Sequence, residues 1–280
     1  MTALSSLRLT LIGGGNMSRG LLGGLLGNGA APELITVTAP SAATRDALQR
    51  DFRVQVSADN IAAVAAADIV VLSVKPQIMG AVTRALAPAL QAARPLVISV
   101  AAGIRAERLS AWIGAGVPVV RTMPNRPALV GAGATGLYAA PAVGEAQRAL
   151  AAQVMGATGL ALWVPQESDL EWVTAVSGSG PAYFFLLADA MAQAAIAQGM
   201  EPAVAKQLAA QTLAGAGALV AADAQPDMAR MRAEVASKGG TTEAALNCFS
   251  ALGFEQLVAA AMQAAATRSR EMSEQFGDQP

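Results

Sequence analysis

The stretch LRLTLIGGGNMS at positions 7–18 decides the fold. In it an apolar run is followed at once by three glycines and then by a segment with helical character that extends to about Asn28. A strand, a glycine-rich turn and a helix in this order begin a nucleotide-binding β-α-β unit. The first glycine permits the tight turn, and the second lets backbone amides approach a diphosphate at the helix N-terminus. The stretch therefore predicts a dinucleotide site.

Outward from this stretch, short apolar runs alternate with helical stretches through the first half of the chain. The runs are continuously apolar, which is typical of a parallel sheet covered on both faces. We therefore expect an α/β fold with an N-terminal, Rossmann-like doubly wound sheet. The further predicted strands are Leu34–Thr38, Val54–Val56, Asp68–Val74, Pro95–Ser99 and Val117–Arg121, and the helices between them are Ala42–Asp51 and Gln77–Leu90.

The strand signal stops after about Leu170, and the rest of the chain is typical of an all-α domain. We expect a dinucleotide-binding domain at 1–168 and a helical dimerisation and substrate domain at 169–280. Two long helices are apolar on nearly every face and must be buried. An intertwined homodimer would bury them, and a compact monomeric bundle is the alternative. The predicted helices are Pro181–Gln198, Glu201–Ala222, Gln225–Ala236, Thr242–Leu252 and Gly253–Phe276.

Composition excludes several kinds of chemistry. The 280 residues include one cysteine, Cys248, and no histidine. An intrachain disulfide is therefore impossible, and zinc sites built on histidine and hydrolytic triads built on imidazole are excluded. We expect no metal site. The net charge of −1 argues against a nucleic-acid partner.

The apolar content of 54% raises the question of a membrane. A spanning helix needs about 20 mostly apolar residues. The best candidates, 181–200 and 208–222, carry polar residues such as Asp189 and Gln193, so we interpret them as buried helices. No signal peptide is evident before the glycines. The expected location is the cytoplasm.

The end of the second predicted strand indicates which dinucleotide binds. A carboxylate there would hold the ribose 2′-hydroxyl and repel a 2′-phosphate. This chain has Thr38 and Ser41 instead, with Arg45 shortly after and no carboxylate before Asp46. Hydroxyls and an arginine favour NADPH, and NADH is the alternative cofactor. The alternative role for Arg45 is that of an ordinary helix residue that faces solvent.

Three more segments, punctuated by glycine and proline, differ from ordinary core sequence: 121–135, 177–182 and 237–242. The last two run into predicted helices, so their backbone amides and hydroxyls would form anion sites. Helix capping by Thr241 or Thr242 is the alternative. Together with a nucleotide fold, the two loops predict a small carboxylate substrate.

Six blocks carry a family resemblance over nearly the whole chain. The chain resembles the pyrroline-5-carboxylate reductases. The resemblance implies NAD(P)H-dependent reduction of the cyclic imine Δ1-pyrroline-5-carboxylate to L-proline, the last step of proline synthesis. It also implies a nucleotide domain joined to a helical dimerisation domain, and homodimers that assemble into decamers. The blocks are GGGNM (13–17), SVKPQ (73–77), ISVAAGI (98–104), residues 123–134, SGSGPAY (177–183) and SKGGTT (237–242).

The resemblance implies roles for individual residues. Thr242 would face the ring nitrogen as the catalytic hydroxyl, and Asn125 and Ser177 join the predicted substrate site. The substrate carboxylate would lie on Ser237, Gly239, Gly240 and Thr241. The cofactor would be held by Gly13, Gly14, Gly15, Asn16, Met17, Asn60, Ser73, Val74, Lys75 and Pro76. Thr38, Ser41 and Arg45, predicted above from the end of the second strand, complete the predicted cofactor site.

Two departures from the family pattern bear on the substrate. Arg126 stands where the family usually has threonine, and Lys238 stands where it usually has proline. Both add positive charge near the predicted site, so a different cyclic imine carboxylate is the alternative substrate.

Two other classes of protein fit the sequence less well. A β-hydroxyacid dehydrogenase would place a lysine on the helix from Pro181, and the sequence has no lysine between Pro181 and Lys206. An NADPH-sensing regulatory protein would not need the two substrate loops.

Overall fold

The apolar runs of the first half form one eight-stranded sheet in the computed structural model, which describes residues 6–277. The strand order is β3-β2-β1-β4-β5-β6-β7-β8, and every neighbouring pair is parallel except β6–β7. The strands are β1 (Leu9–Ile12), β2 (Ile35–Thr38), β3 (Gln55–Ser57), β4 (Ile69–Leu72), β5 (Leu96–Ser99), β6 (Val119–Met123), β7 (Gly133–Ala139) and β8 (Gly159–Trp163).

Helices cover both faces of this sheet, so the predicted doubly wound fold is confirmed. Leu11 belongs to the core on one face and Ile12 to the core on the other, because successive side chains of a strand point to opposite faces. The helices between the strands are α1 (Asn16–Gly27), α2 (Ala42–Phe52), α3 (Asn60–Ala65), α4 (Pro76–Ala93), α5 (Ala106–Ile113) and α6 (Glu145–Gly156).

The sheet differs from the expected one at its far edge. The sequence did not predict β7 and β8, and β7 runs antiparallel to β6. The connection from Met123 to Gly133 contains only a short 3₁₀ segment, Arg126–Val130. That is too short for the crossover a parallel pair requires, so the chain turns back on itself.

The remaining elements are helical, as expected. Residues 6–179 form one compact unit together with the end of the last helix from Ala265, and Gly180–Ala264 form a second. The predicted boundary at 168/169 stays a prediction. The helices are α7 (Asp169–Val173), α8 (Gly180–Ala197), α9 (Pro202–Ala222), α10 (Met228–Val235), α11 (Thr241–Ala251) and α12 (Phe254–Gly277).

The end of α12 packs on the first unit through a polar contact and an aromatic one. The carboxylate of Glu171, a nearly buried residue, accepts a hydrogen bond from Arg270 Nε at 3.0 Å. Further along the helix, Ser273 is buried and the Phe276 ring lies against Gly103. These contacts hold the last helical turns of the chain against the sheet domain.

The second unit has only a small core of its own. Ala192 of α8 packs with Ala205 and Ala209 of α9, and no other side chain in Gly180–Ala264 is buried. The large apolar side chains of this unit are instead exposed. This is expected for a single chain, because these helices are apolar on nearly every face. They include Phe184, Phe185, Leu186, Leu208, Leu219 and Leu257.

Within residues 6–277, one helical stretch, Asp169–Ala197, is long and apolar enough by length and composition to cross a membrane, and 11% of its apolar 18-residue window is buried. A second would be counted if α11 and α12, which are bent by 57° relative to each other, were one span. One or two such helices are weak support for a membrane location, because the helices of water-soluble proteins pass the same test.

Candidate active site

Gly13 joins the ends of three strands. Its N–H donates to the Thr38 carbonyl at 3.1 Å, and the neighbouring Ile12 carbonyl accepts from the Ser73 N–H at 2.9 Å. Gly13 has φ of +107°, and a Cβ added to it would lie 2.6 Å from the Ser73 carbonyl oxygen. Only glycine fits there, so the tight turn inferred from the sequence has a steric cause.

Gly15 leaves the N-terminus of α1 open. It is the N-cap residue, forms no side-chain capping hydrogen bond, and has nothing within 4 Å of the place a Cβ would occupy. The buried Ser18 hydroxyl donates a hydrogen bond to the Gly13 carbonyl and so fixes the loop against the first turn of α1. Uncapped amides, a partial positive charge and free space suit a diphosphate, so these residues fit a dinucleotide.

The loop after β2 holds a positive charge. Arg45 Nη1 donates to the carbonyls of Ala39 at 2.7 Å and Pro40 at 2.9 Å, which fixes the guanidinium against the loop. Ser41 caps α2, accepting from the Thr44 N–H at 3.4 Å. Thr38 differs from the expectation of an accessible hydroxyl. It is 1% exposed, and its hydroxyl has no hydrogen-bond partner among the described residues.

The residues after β4 and β3 lie at the same edge of the sheet, because their strands are parallel to β1 and β2. Ser73 and Val74 are half-buried, and Lys75 is exposed as the N-cap residue of α4, with Pro76 at the first helical position. Asn60 is the half-buried first residue of α3. The parallel strands thus bring the predicted cofactor residues of this unit to one edge.

An open cleft of about 320 Å³ lies at this edge. It connects the nucleotide loop with two of the other segments that the sequence singled out, the one after β6 and the one that precedes α8. The residues that line it are Asn16, Met17, Pro124, Asn125, Arg126, Leu129 and Gly178.

The segment before α8 is not the helix start that the sequence predicts. A π-helical turn, Thr174–Gly178, joins α7 to α8, and the Ser179 N–H is already bonded to the Thr174 carbonyl at 2.8 Å. The expectation of a free helix N-terminus that binds an anion is therefore wrong here. Ser177 remains beside the cleft residue Gly178, and its hydroxyl donates to the Val173 carbonyl at 2.9 Å.

Asn125 explains how the helical stretch continues past Pro181. Proline has no N–H, so Pro181 donates nothing to the Ser177 carbonyl four residues earlier. Asn125 Nδ2 donates to that carbonyl instead, at 2.9 Å, and Asn125 Oδ1 accepts from the Ala134 N–H at 2.9 Å. Asn125 is 8% exposed. It therefore joins β6, β7 and the π-helical turn, a structural role that the sequence did not reveal.

The predicted carboxylate loop lies in the second unit, where it leads into α11. Gly239 has φ of +74°, and the Gly240 N–H donates to the Ser237 carbonyl at 3.0 Å. Gly240 is the N-cap residue of α11 and forms no side-chain capping bond, so threonine capping is not observed. Thr241 is exposed and Thr242 half-buried, and neither hydroxyl is bonded to another residue within 6–277.

Glu243 is a residue of this loop region that the sequence reasoning missed. Its Oε2 accepts from the Gly239 N–H at 2.7 Å, so a carboxylate of the chain itself occupies one amide of the predicted substrate loop. The signal was available, because Glu243 stands three residues after the N-cap residue, as in a capping box.

Among the described residues no group of three or more metal-ligating side chains is present.

Comparisons with known proteins agree with a dinucleotide-binding sheet domain followed by a helical domain. Residues 167–272 match the family model for pyrroline-5-carboxylate reductase dimerisation, and residues 8–103 match that for NADP oxidoreductase, coenzyme F420-dependent. The chain is 48% identical to the pyrroline-5-carboxylate reductase of Pseudomonas aeruginosa, over 98% of this chain and 100% of that protein. The chain belongs to the pyrroline-5-carboxylate reductase family. The predicted family and its oxidoreductase class are confirmed.

Solved structures of pyrroline-5-carboxylate reductases share the fold. That of Coxiella burnetii is 38% identical with a TM-score of 0.91, covering 96% of this chain and 99% of that one. That of Plasmodium falciparum, which has NADP bound, is 26% identical with a TM-score of 0.80, covering 97% and 100%. The match to a dimerisation model accounts for the exposed apolar helices of the second unit, since self-association buries such surfaces.

Proposed function

We propose that this pyrroline-5-carboxylate reductase family member reduces Δ1-pyrroline-5-carboxylate to L-proline with NAD(P)H, the last step of proline synthesis. The observation that carries the proposal is the presence, in one chain, of two helices whose N-cap residue is a glycine. The first helix follows Gly15 in the sheet domain, and the second follows Gly240, carries two unpaired threonine hydroxyls and has the Glu243 carboxylate on the neighbouring Gly239 amide. The first suits a diphosphate and the second a small carboxylate.

The chain's own residues have few chemical tasks in this reaction. When bound, the nicotinamide supplies a hydride to the imine carbon. The Thr241 amide would hold the substrate carboxylate, since the Gly240 amide expected to share this role already donates to the Ser237 carbonyl. The hydroxyl of Thr242 would hydrogen-bond the ring nitrogen and hold a proton there. Because the imine carries its own proton, no strong acid is required, which fits a chain without histidine. Alignment of two bound molecules is worth about 7–11 kcal/mol.

NADPH is the cofactor that we propose over NADH. Arg45 is held at the end of β2 by two carbonyls, and Ser41 stands beside it at the start of α2. A guanidinium there attracts a 2′-phosphate. In Arg45→Ala, the KM for NADPH should rise about five- to thirty-fold while the KM for NADH stays within two-fold. An equal rise for both cofactors would contradict this role.

The remaining proposals concern assembly and location. The exposed apolar helices of the second unit support a homodimer, and the family resemblance supports its further assembly into a decamer. Sedimentation velocity at several protein concentrations measures both. The cytoplasm is the proposed location, consistent with a reductase that draws on a soluble dinucleotide pool, and cell fractionation tests it.

Steady-state kinetics test the activity itself. Oxidation of NADPH and NADH would be followed with pyrroline-5-carboxylate and with a six-membered cyclic imine carboxylate. Efficient turnover of the five-membered ring supports the proposal. Preference for the six-membered ring would support the alternative of a different cyclic imine carboxylate as substrate, which the positive charges of Arg126 and Lys238 suggest. Tight cofactor binding without turnover of any imine would favour a sensor.

A further inference from the structure

Arg126 is a cation without an observed partner at the edge of the cleft. It opens the 3₁₀ segment after β6, its side chain is exposed, and it lines the cleft together with Asn16 and Met17. In the part of the chain that the structure describes, Arg126 forms no ion pair or hydrogen bond, and no carboxylate lines the cleft. Its charge is therefore available to a ligand.

The backbone that carries Arg126 is held firmly on both sides. The preceding residue, Asn125, is fixed by its two side-chain hydrogen bonds. Two residues later, the Ala128 carbonyl lies so close to α1 that a Cβ on Gly20 would be 3.2 Å from its oxygen. The segment therefore packs against α1, the helix that begins directly after Gly15. A guanidinium on a fixed base loses less conformational freedom when it binds.

We propose that Arg126 binds the diphosphate of the dinucleotide, adding a full charge to the partial charge of the α1 N-terminus. The inference rests on the proposed function, since it presumes a dinucleotide in this unit. Asn16 and Met17, which share the cleft with Arg126, are the residues that follow the glycine loop. The diphosphate that such a loop would bind is therefore the anion that we assign to Arg126.

This role separates Arg126 from Arg45. The diphosphate is common to NADPH and NADH, so Arg126 contributes equally to the binding of both, whereas Arg45 acts on the 2′-phosphate alone. Because the side chain is exposed, its contribution is modest and falls as salt screens it, with a screening length of about 8–10 Å at physiological ionic strength.

Equilibrium binding tests the proposal independently of turnover. NADPH and NADH would each be titrated into the full-length wild type, Arg126→Thr and Arg126→Lys, at low and at high ionic strength. Arg50→Thr is the matched control, since it removes an exposed arginine of α2 that lies outside the cleft lining. In Arg126→Thr, the Kd of both dinucleotides should rise about three- to ten-fold and by the same factor, less at high salt. Arg126→Lys should retain most of the affinity.

Two outcomes would overturn the inference while leaving the proposed function intact. The first is a rise of the Kd for NADPH alone, and the second is an unchanged Kd for both dinucleotides in Arg126→Thr. If an unchanged Kd were accompanied by a higher KM for the imine at saturating cofactor, Arg126 would be assigned to the substrate carboxylate. A wild-type protein that binds neither dinucleotide would instead overturn the proposed function, and with it this inference.

Discussion

Replacing Asn125 with alanine would remove two hydrogen bonds. The Ser177 carbonyl would lose its donor and the Ala134 N–H its acceptor, each now bonded at 2.9 Å. Leaving a buried polar group unpaired costs about 1–3 kcal/mol. Because Asn125 borders an open cleft, water would restore part of the loss. We therefore expect the free energy of unfolding to fall by about 2–4 kcal/mol.

The assay is chemical denaturation at a fixed protomer concentration, since self-association adds to apparent stability. Asn28→Ala is the control, because Asn28 is an exposed asparagine at the end of α1 whose side chain forms no observed hydrogen bond. It should change stability by less than about 0.5 kcal/mol.

Asn125→Asp separates the two bonds, because it retains an acceptor for the Ala134 N–H but loses the donor to the Ser177 carbonyl. It should destabilise the protein at neutral pH and less so at acid pH, where a protonated carboxyl can donate again. If Asn125→Ala were as stable as Asn28→Ala, the argument that this side chain substitutes for the missing N–H of Pro181 would be refuted.

Three further predictions concern the loops. Gly15→Ala should keep its melting temperature but weaken NADPH binding about ten-fold or more. Gly13→Ala should lose about 1–3 kcal/mol of stability from backbone strain, and the contact of its Cβ with the Ser73 carbonyl adds to that loss; equal behaviour of the two variants would contradict the geometry. Thr242→Ala should lower kcat/KM for the imine about 10–100-fold, with Thr242→Ser retaining most activity, and unchanged kinetics would remove Thr242 from the mechanism. Glu243→Gln should lower the KM for the imine about two- to five-fold by removing a like charge, and a higher KM would show that the carboxylate aids binding.

Features with a local cause could be predicted from the sequence. The Gly13–Ser18 loop, the first six strands and the helical second half each follow from spacing within a few residues. The strands β7 and β8 were missed for different reasons. β7 (GATGLYA) is interrupted by two glycines and a threonine, so it lacks the continuous apolar run of the earlier strands. β8 (GLALW) is continuously apolar, so its signal was visible and was overlooked, and Leu160 and Leu162 are exposed on this edge strand.

Features with a distant cause could not be predicted. Glycines and a proline made residues 177–182 resemble a loop, yet the chain stays helical there because Asn125, 52 residues earlier, bonds the Ser177 carbonyl. Sequence spacing contains no trace of that contact. The Glu243 carboxylate on Gly239 is the opposite case, since its capping spacing was visible and only its significance was overlooked.

The central claim is that the chain reduces a cyclic imine carboxylate with a nicotinamide dinucleotide. The most direct test incubates the wild-type protein with pyrroline-5-carboxylate and NADPH, and quantifies L-proline and oxidised cofactor in the same sample. We predict that the two products form in equal amounts and that Thr242→Ala forms both at least about ten-fold more slowly. Cofactor binding with no proline formed by the wild type would contradict the claim.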